Sequence, residues 1–386
     1  MGKREKSILV LTDDSYLNQH SAKGLRARRE VELLKKVYYE VNVLVLSEVK
    51  YYRNLPNIDY KIIHIYSSKL DWIIAPFSAL KLRNESKSCD FIFSINLNSG
   101  WVGFFLSILT GKPLILDYHG VVPEERKYLG GSNLKYRIIK LIEILVLKRA
   151  HRVLVVSQNM KNHLIKSLRI DEKKLRVLPN CIEDWFITNI EEVSARRDSA
   201  REILGLKEKL VFVYCGSASK WQQIRVMIDL YDQLKSIKGS ELHLLIMTRD
   251  KEKIEKIINE KKLTDSSTVI KVEHSEVPHI LPAGDIGLLL RDDNIVNRAA
   301  APTKTAEYLA CGVPILATHG IGNIDEITHK DKICKQITLD FNHNIDELLE
   351  YAYDIRINRH DYIKSTNSLA VERFKWDLYK SIIDFT

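Results

Sequence analysis

Short β-rich apolar runs alternate with helix-length stretches along almost the whole chain, and the pattern runs through twice. In the first series the runs are Ser7–Thr12, Val41–Leu46, Tyr60–Ile65, Phe91–Ile95, Pro113–Asp117, Val153–Val156 and Leu175–Leu178. In the second they are Leu210–Tyr214, Leu242–Ile246, Thr268–Lys271, Ile286–Leu290 and Val313–Ala317. Helices placed between successive strands cover both faces of a parallel sheet, and Ala22–Val37 has the periodicity of such a helix. At 386 residues the chain is too long for one ordinary core. The expected class is therefore α/β, with two doubly wound domains whose parallel sheets face a central cleft.

The alternation lapses in the polar stretch that leads from Leu178-Pro179-Asn180 through Arg197, and it resumes near Glu202. This places one domain at 1–188 and a second at 198–368. Residues 369–386 then form a C-terminal helix, centred on Leu369 to Ile383. Its Phe374, Trp376 and Tyr379 suit either an anchor across the domain junction, returning to the first domain, or packing within the second.

Ligands of doubly wound sheets collect beyond the carboxyl ends of the strands, which is where Asp13, Asn96, Asp117, His119 and Ser157 fall. The first strand-to-helix connection carries Ser21, Ala22, Lys23 and Gly24. Gly24 permits close backbone approach there, but no GxGxxG fingerprint surrounds it, which argues against a dinucleotide site.

Ala301 to Pro314 is the most informative segment. Pro302 can open a helix, and Gly312 and Pro314 close it about three turns later. Amides near Thr303, Lys304 and Thr305 then lack intrahelical acceptors at the positive end of the helix dipole, an anion site. Lys304 and Glu307 share a face, so a diphosphate joined to a ribose suits the pair; a surface ion pair between the two fits the same spacing.

Charge is uneven. Residues 1–185 hold 31 Lys and Arg against 19 Asp and Glu, and the remainder hold 28 against 31, so the halves carry +12 and −3. The first half therefore meets something anionic or presents a solvated basic surface. No recognisable nucleic-acid module accompanies the charge, so nucleic acid is not an expected partner. Cys89, Cys181, Cys215, Cys311 and Cys334 show no disulfide or zinc spacing. No run has the length of a membrane span, and Met1 to Lys6 lead straight into a strand, so a cytoplasmic protein is expected.

These residues together resemble the GT-B glycosyltransferases of family 4, whose domains are Rossmann-like. Asp117-Tyr118-His119-Gly120 with Pro123-Glu124-Glu125 looks like the family's histidine loop, and Gly216 to Gln222 looks like its glycine loop. Glu276-Val277-Pro278 and Ala283 to Gly287 resemble the approach to the donor site. Arg291 and the Pro302-Thr303-Lys304 to Glu307-Tyr308-Leu309-Ala310 segment resemble a subgroup of that family. One position departs: the family commonly carries a second glutamate eight residues before Glu307, where this chain has Ala299.

The resemblance implies a retaining glycosyltransferase that takes a nucleotide-diphosphate sugar, UDP-sugar favoured, with no cofactor and no metal. Catalytic roles then fall to His119, Lys220, Lys304 and Glu307. Donor contacts fall to Gly216, Ser217, Arg291, Arg298, Pro302, Thr303 and Thr305, and acceptor-side positions to Asp13, Gly24 and Asp117. In plain structural terms His119 and Lys220 also fit ordinary loop positions. The paired acids Asp13–Asp14 and Asp292–Asp293 fit caps better than a metal site.

The acceptor expected is a glycan or lipid-linked glycan in cell-surface polysaccharide synthesis. The alternatives are a catalytically silent nucleotide-sugar-binding partner, which Ala299 favours, and an epimerase of the same architecture. On the helix Lys135–Arg149, Arg137, Lys140 and Lys148 share a face with Ile144 and Leu147 among them. That face suits peripheral attachment to an anionic membrane on the inner side of the cell; a helix buried on both sides is the other reading.

Overall fold

The computed structural model describes residues 4–18, 21–47, 60–64, 71–327, 333–340 and 345–385. Ile65 and the first three residues, Met1 to Lys3, lie outside them. The chain divides into two compact units, Met1–Pro179 with Trp376–Thr386, and Asn180–Lys375.

The first unit holds β1 (Arg4–Asp13), β2 (Tyr38–Ser47), β3 (Lys61–His64), β4 (Phe91–Ile95), β5 (Leu114–Tyr118), β6 (Arg152–Val155) and β7 (Leu175–Val177). They form one parallel sheet in the order β3-β2-β1-β4-β5-β6-β7. The second unit holds β8 (Leu210–Cys215), β9 (Leu242–Met247), β10 (Ser267–Ile270), β11 (Ile286–Leu289), β12 (Ile315–Thr318) and β13 (Cys334–Ile337), in the order β10-β9-β8-β11-β12-β13. β4, β5, β9, β11 and β12 are buried at every position, which is why their sequences are continuous apolar runs. Both orders reverse beside the first strand of the unit, so each sheet has a switch point between its first strand and the strand that pairs on the other side, β1/β4 and β8/β11.

All twelve expected strands are present, and Ala22–Val37 is a helix with those bounds. β13 was not expected. Its half-exposed Lys335 and Gln336 interrupt the apolar pattern, as an edge strand allows.

The domain boundaries move. The stretch expected to connect the domains belongs to the second unit from Asn180 onward, and its helix Ile190–Ile203 is tied down by charge. Arg197 and Arg201 both bond the fully buried Asp285, which also accepts from the Val211 amide at 2.7 Å. Burial alone raises the Asp285 carboxyl, but the Arg197, Arg359 and Arg201 charges outweigh it and hold it below the usual range. The polar sequence is thus an anchored helix, not a linker.

The C-terminal segment returns to the first unit, one of the two expected placements, but not as a long helix. The last long helix is Arg359–Arg373, and Trp376–Tyr379 is a single 3-10 turn. Residues from Trp376 onward pack in the first unit: Tyr38 Oη donates to the Ile383 carbonyl at 3.2 Å and accepts from the Phe385 amide at 2.9 Å.

Candidate functional site

In the second unit the switch point lies between β8 and β11, and three features meet there. Gly216 follows β8, Arg291 follows β11, and the helix Thr303–Ala310 returns towards β12. That helix is shorter than the sequence implies, ending at Ala310 with Cys311 as its C-cap before Gly312 at φ +74°. Pro302 precedes it, and the Thr305 amide donates to the Pro302 carbonyl at 3.0 Å, so that amide is not free for a ligand.

Lys304 is buried, with its Nζ donating to Gln222 Oε1 at 3.0 Å and lying 4.1 Å from the centre of the Tyr214 ring. Burial first, and the nearby Arg291 charge second, push its ammonium down to about 7. Arg291 is buried as well and is pushed down to about 10 by desolvation; its Nε has no hydrogen-bond partner. Neither cation forms an ion pair among the described residues. Two buried, mutually repelling cations at the mouth of a helix are costly unless an anion joins them. The Thr305 hydroxyl, also buried, has no partner either.

The backbone favours glycine at position 216, and a side chain there would displace Lys304. Gly216 has a φ of +147°, outside the range most side chains adopt, and a Cβ there would lie 2.7 Å from Lys304 Nζ.

Glu307 does not pair with Lys304. Its Oε1 instead meets His274 Nε2 at 2.8 Å. Burial works to lower the His274 imidazole, but the hydrogen bond and charge of Glu307 prevail and raise it. The Trp185 and Phe186 rings flank His274 at 5.8 and 5.4 Å between centroids. His274 was missed in the sequence because nothing in a lone loop histidine 33 positions away identifies it as the carboxylate's partner.

Other expected donor residues are placed differently. Arg298 is exposed and bonds Asp293 at 2.7 Å, so it turns away from the buried pair. Lys220 is exposed on the turn Lys220–Gln222; Gln222, two residues on, is the side chain that reaches Lys304. Ser217 is exposed and bonds Ser219 at 3.1 Å, and Thr303 is half-buried at the helix start. Ala299 is buried in the short helix Ile295–Ala299.

In the first unit, His119 follows β5 and is partly exposed. Its Nδ1 lies 2.8 Å from Asp117 Oδ2. Asp117, expected on the acceptor side, is fully buried and works beneath the surface instead: Arg26 bonds its Oδ1 at 2.8 Å. Desolvation raises the Asp117 carboxyl, yet the Arg26 and His119 charges overcome this and hold it far below the usual range. Arg26 also reaches Glu30 at 2.9 Å and the Pro179 carbonyl at 3.1 Å. Burial, then the Asp117 charge, raise the Glu30 carboxyl well above its ordinary value. His119 is therefore oriented by a buried cluster drawn from β5, the helix Ala22–Val37 and the end of the unit.

Asp13 and Gly24 are structural as well. Asp13 caps the turn Asp14–Leu17 through the Ser15 amide at 3.0 Å and accepts from Asn96 Nδ2 at 2.6 Å. Gly24 is buried inside the helix rather than in the loop before it, and a Cβ there would collide with the Ser15 and Asn18 carbonyls. Ser157 caps the helix Gln158–Leu168.

On the helix Asn133–Arg149, Arg137 and Lys148 are exposed as expected. Lys140 is not available: it bonds Glu124 at 2.7 Å and the buried Glu143 at 2.6 Å. Leu147 is fully buried and Ile144 half-buried, so neither forms an exposed ridge. Among the described residues, no helix is long and apolar enough to cross a membrane.

Comparison with known proteins gives this geometry a family. The model for Glycosyltransferase Family 4 matches residues 26–185, and that for Glycosyl transferases group 1 matches residues 196–367. The chain is a GT-B glycosyltransferase of the group 1 type. This glycosyltransferase is 23% identical over 330 residues to a chitobiosyldiphosphodolichol beta-mannosyltransferase of Debaryomyces hansenii, in an alignment taking in 76% of this chain and 66% of that one. It is also 23% identical over 313 residues to the capsular polysaccharide biosynthesis glycosyltransferase CapM of Staphylococcus aureus, covering 78% and 77% of the two chains. Its fold matches Anabaena HepE in complex with UDP-glucose at a TM-score of 0.73, with 14% identity and 98% of each chain covered.

Proposed function

We propose that this glycosyltransferase moves a sugar, with retention of configuration, from a nucleotide-diphosphate sugar, UDP-sugar favoured, to a glycan or lipid-linked glycan in cell-surface polysaccharide synthesis. The observation that carries the reading is the buried pair Lys304 and Arg291, without carboxylate partners, beside the helix that bears Glu307. A departing diphosphate would supply the anion the two cations lack, and fixed cations stabilise most where charge develops during reaction. Glu307, an acceptor-only carboxylate held by His274, suits ribose hydroxyls. His119, oriented from beneath by Asp117, suits a hydrogen bond to the donor sugar. The relatives in capsule synthesis and on a dolichol-linked substrate, and the HepE complex with UDP-glucose, favour the acceptor and donor classes named.

A silent donor-binding partner is the second reading, favoured by Ala299: a small buried methyl occupies the position where the family commonly has a glutamate. Thermal shift against UDP-, GDP-, ADP- and CDP-sugars tests the donor site, since a ligand bound only by the folded chain at about 100 times its Kd adds roughly 2.7 kcal/mol. One nucleotide class should give the shift, and Glu307→Ala should abolish it. An undiminished shift in that variant sinks the ribose role, and silence with every class sinks the donor site. Transfer to lipid-linked glycan, with the product anomer read by NMR, separates the enzyme from the silent partner.

A further inference from the structure

The residues expected to meet an acceptor are taken up by the fold of the first unit. Asp13 caps a turn, Gly24 is buried inside a helix, and Asp117 is fully buried beneath His119. A half-buried carboxylate stands beside His119 instead. The helix Val122–Tyr128 begins just after that histidine and carries two adjacent glutamates in its first turn. Glu124 accepts from Lys140 at 2.7 Å and from Tyr136 at 3.4 Å. Among the described residues, the Glu125 carboxylate has neither a hydrogen bond nor an ion pair. It lies over the backbone next to His119, where a Cβ on Gly120 would collide with its Oε1.

Lys23 approaches from another element. It lies one turn before Arg26 on the helix Ala22–Val37, and Arg26 bonds Asp117 at 2.8 Å, so the first turn of that helix faces the end of β5. Burial raises the Glu125 carboxyl; the Lys23, His119 and Arg126 charges oppose this, the Glu124 charge adds to it, and the net direction is upward. A desolvated carboxylate without a partner costs stability, and all of its acceptor capacity is unused. His119 turns Nδ1 to Asp117 at 2.8 Å, which leaves Nε2 for a ligand. Transfer needs the acceptor hydroxyl within about 3–3.5 Å of the reacting carbon of the donor sugar. A carboxylate beside the residue that meets the donor sugar is therefore placed to hold that hydroxyl.

We propose that Glu125 recognises the acceptor: its carboxylate accepts hydrogen bonds from vicinal hydroxyls on the terminal sugar of the acceptor, with the Lys23 ammonium as a flanking donor. This rests on the transferase reading and deepens it. An acceptor-only group pairs with hydroxyls and repels phosphate or carboxylate, so the sugar unit seated there is uncharged.

The test uses the full chain, the nucleotide sugar that gives the thermal shift, and p-nitrophenyl glycosides of glucose, galactose, mannose and N-acetylglucosamine as acceptors. The parent transfers to at least one of them. Glu125→Gln raises the KM for that glycoside about 10- to 100-fold, while the donor KM, the donor shift and the melting temperature stay as in the parent. Removing the contacted hydroxyl, with the monodeoxy forms of the glycoside as probes, costs the parent about tenfold and the variant little. A residue that only supports the fold gives no such coupling. A parent that shows the donor shift but transfers to no glycoside, or an acceptor KM unmoved by Glu125→Gln, would overturn the proposal and leave the transferase reading standing. A donor shift lost in the variant would assign Glu125 to the donor sugar, and a lowered melting temperature would make it structural; either overturns the proposal as well. A parent with no donor shift fails the transferase reading itself and takes the proposal with it.

Discussion

Lys304 is a base at neutral pH only because the fold makes it one. Burial and Arg291 bring its ammonium down to about 7, against an ordinary value of 10.5. A lysine lowered in the folded state binds fewer protons than the unfolded chain between those values, so ligand-free stability rises with pH across about 7 to 10.5. A bound diphosphate reverses the preference and draws the proton back. Nucleoside-diphosphate affinity should therefore fall as pH rises above 7, by up to about tenfold per unit, with close to one proton taken up per molecule bound at pH 8. Calorimetry in buffers of different ionisation enthalpy reads that proton directly; affinity flat from pH 6.5 to 8.5 would remove Lys304 from the anion site. Lys304→Met should lose nucleotide binding while leaving the empty fold as stable or up to about 4 kcal/mol more so, because an unpaired buried cation has gone. A stability that drops instead would make Lys304 a structural residue.

Between elements, the arrangement around His119 makes a sharper distinction. Arg26 comes from the helix Ala22–Val37 and faces two buried carboxylates, Asp117 on β5 and Glu30 one turn along its own helix. Glu30 is held up by burial and by the Asp117 charge, so removing that charge lets Glu30 ionise and take over as the counterion of Arg26. Asp117→Asn should then cost little stability, while Arg26→Ala strands two buried carboxyls and costs about 3–5 kcal/mol. Urea melts compare the two; equal losses would exclude the reserve role of Glu30. Such a cluster is not legible in sequence, because its members lie 91 residues apart and only the folded sheet brings them together. The same holds for Glu307 and His274. Lys140 departs from its expected role for a related reason: helical periodicity gives a face, but the partners Glu143, one turn along, and Glu124, 16 residues away, decide whether that face is free. What was legible followed local rules. Strands buried on both faces wrote continuous apolar runs, and the helix Thr303–Ala310 was bounded by a proline and a glycine.

At the scale of the whole chain, its last residues complete the unit that its first residues begin. Phe385 stacks on Tyr38 and Phe93 at 6.5 and 6.0 Å between centroids, and Trp376 lies under the Arg26 guanidinium at 5.9 Å. These contacts reach β2, β4 and the helix that carries Arg26, so the tail supports the same cluster that orients His119. The exposed Lys36–Asp377 pair adds little, as solvent-exposed pairs do. Phe385→Ala should therefore destabilise the first unit by about 3 kcal/mol, and removal of residues 376–386 by more. Hydrogen exchange distinguishes this from a general loss of fold: amides of β1, β2 and β4 should lose protection while those of β8, β11 and β12 keep theirs, and the nucleotide-sugar shift should survive. Equal loss of protection in both sheets would mean that the units fold as one and that the tail supports both.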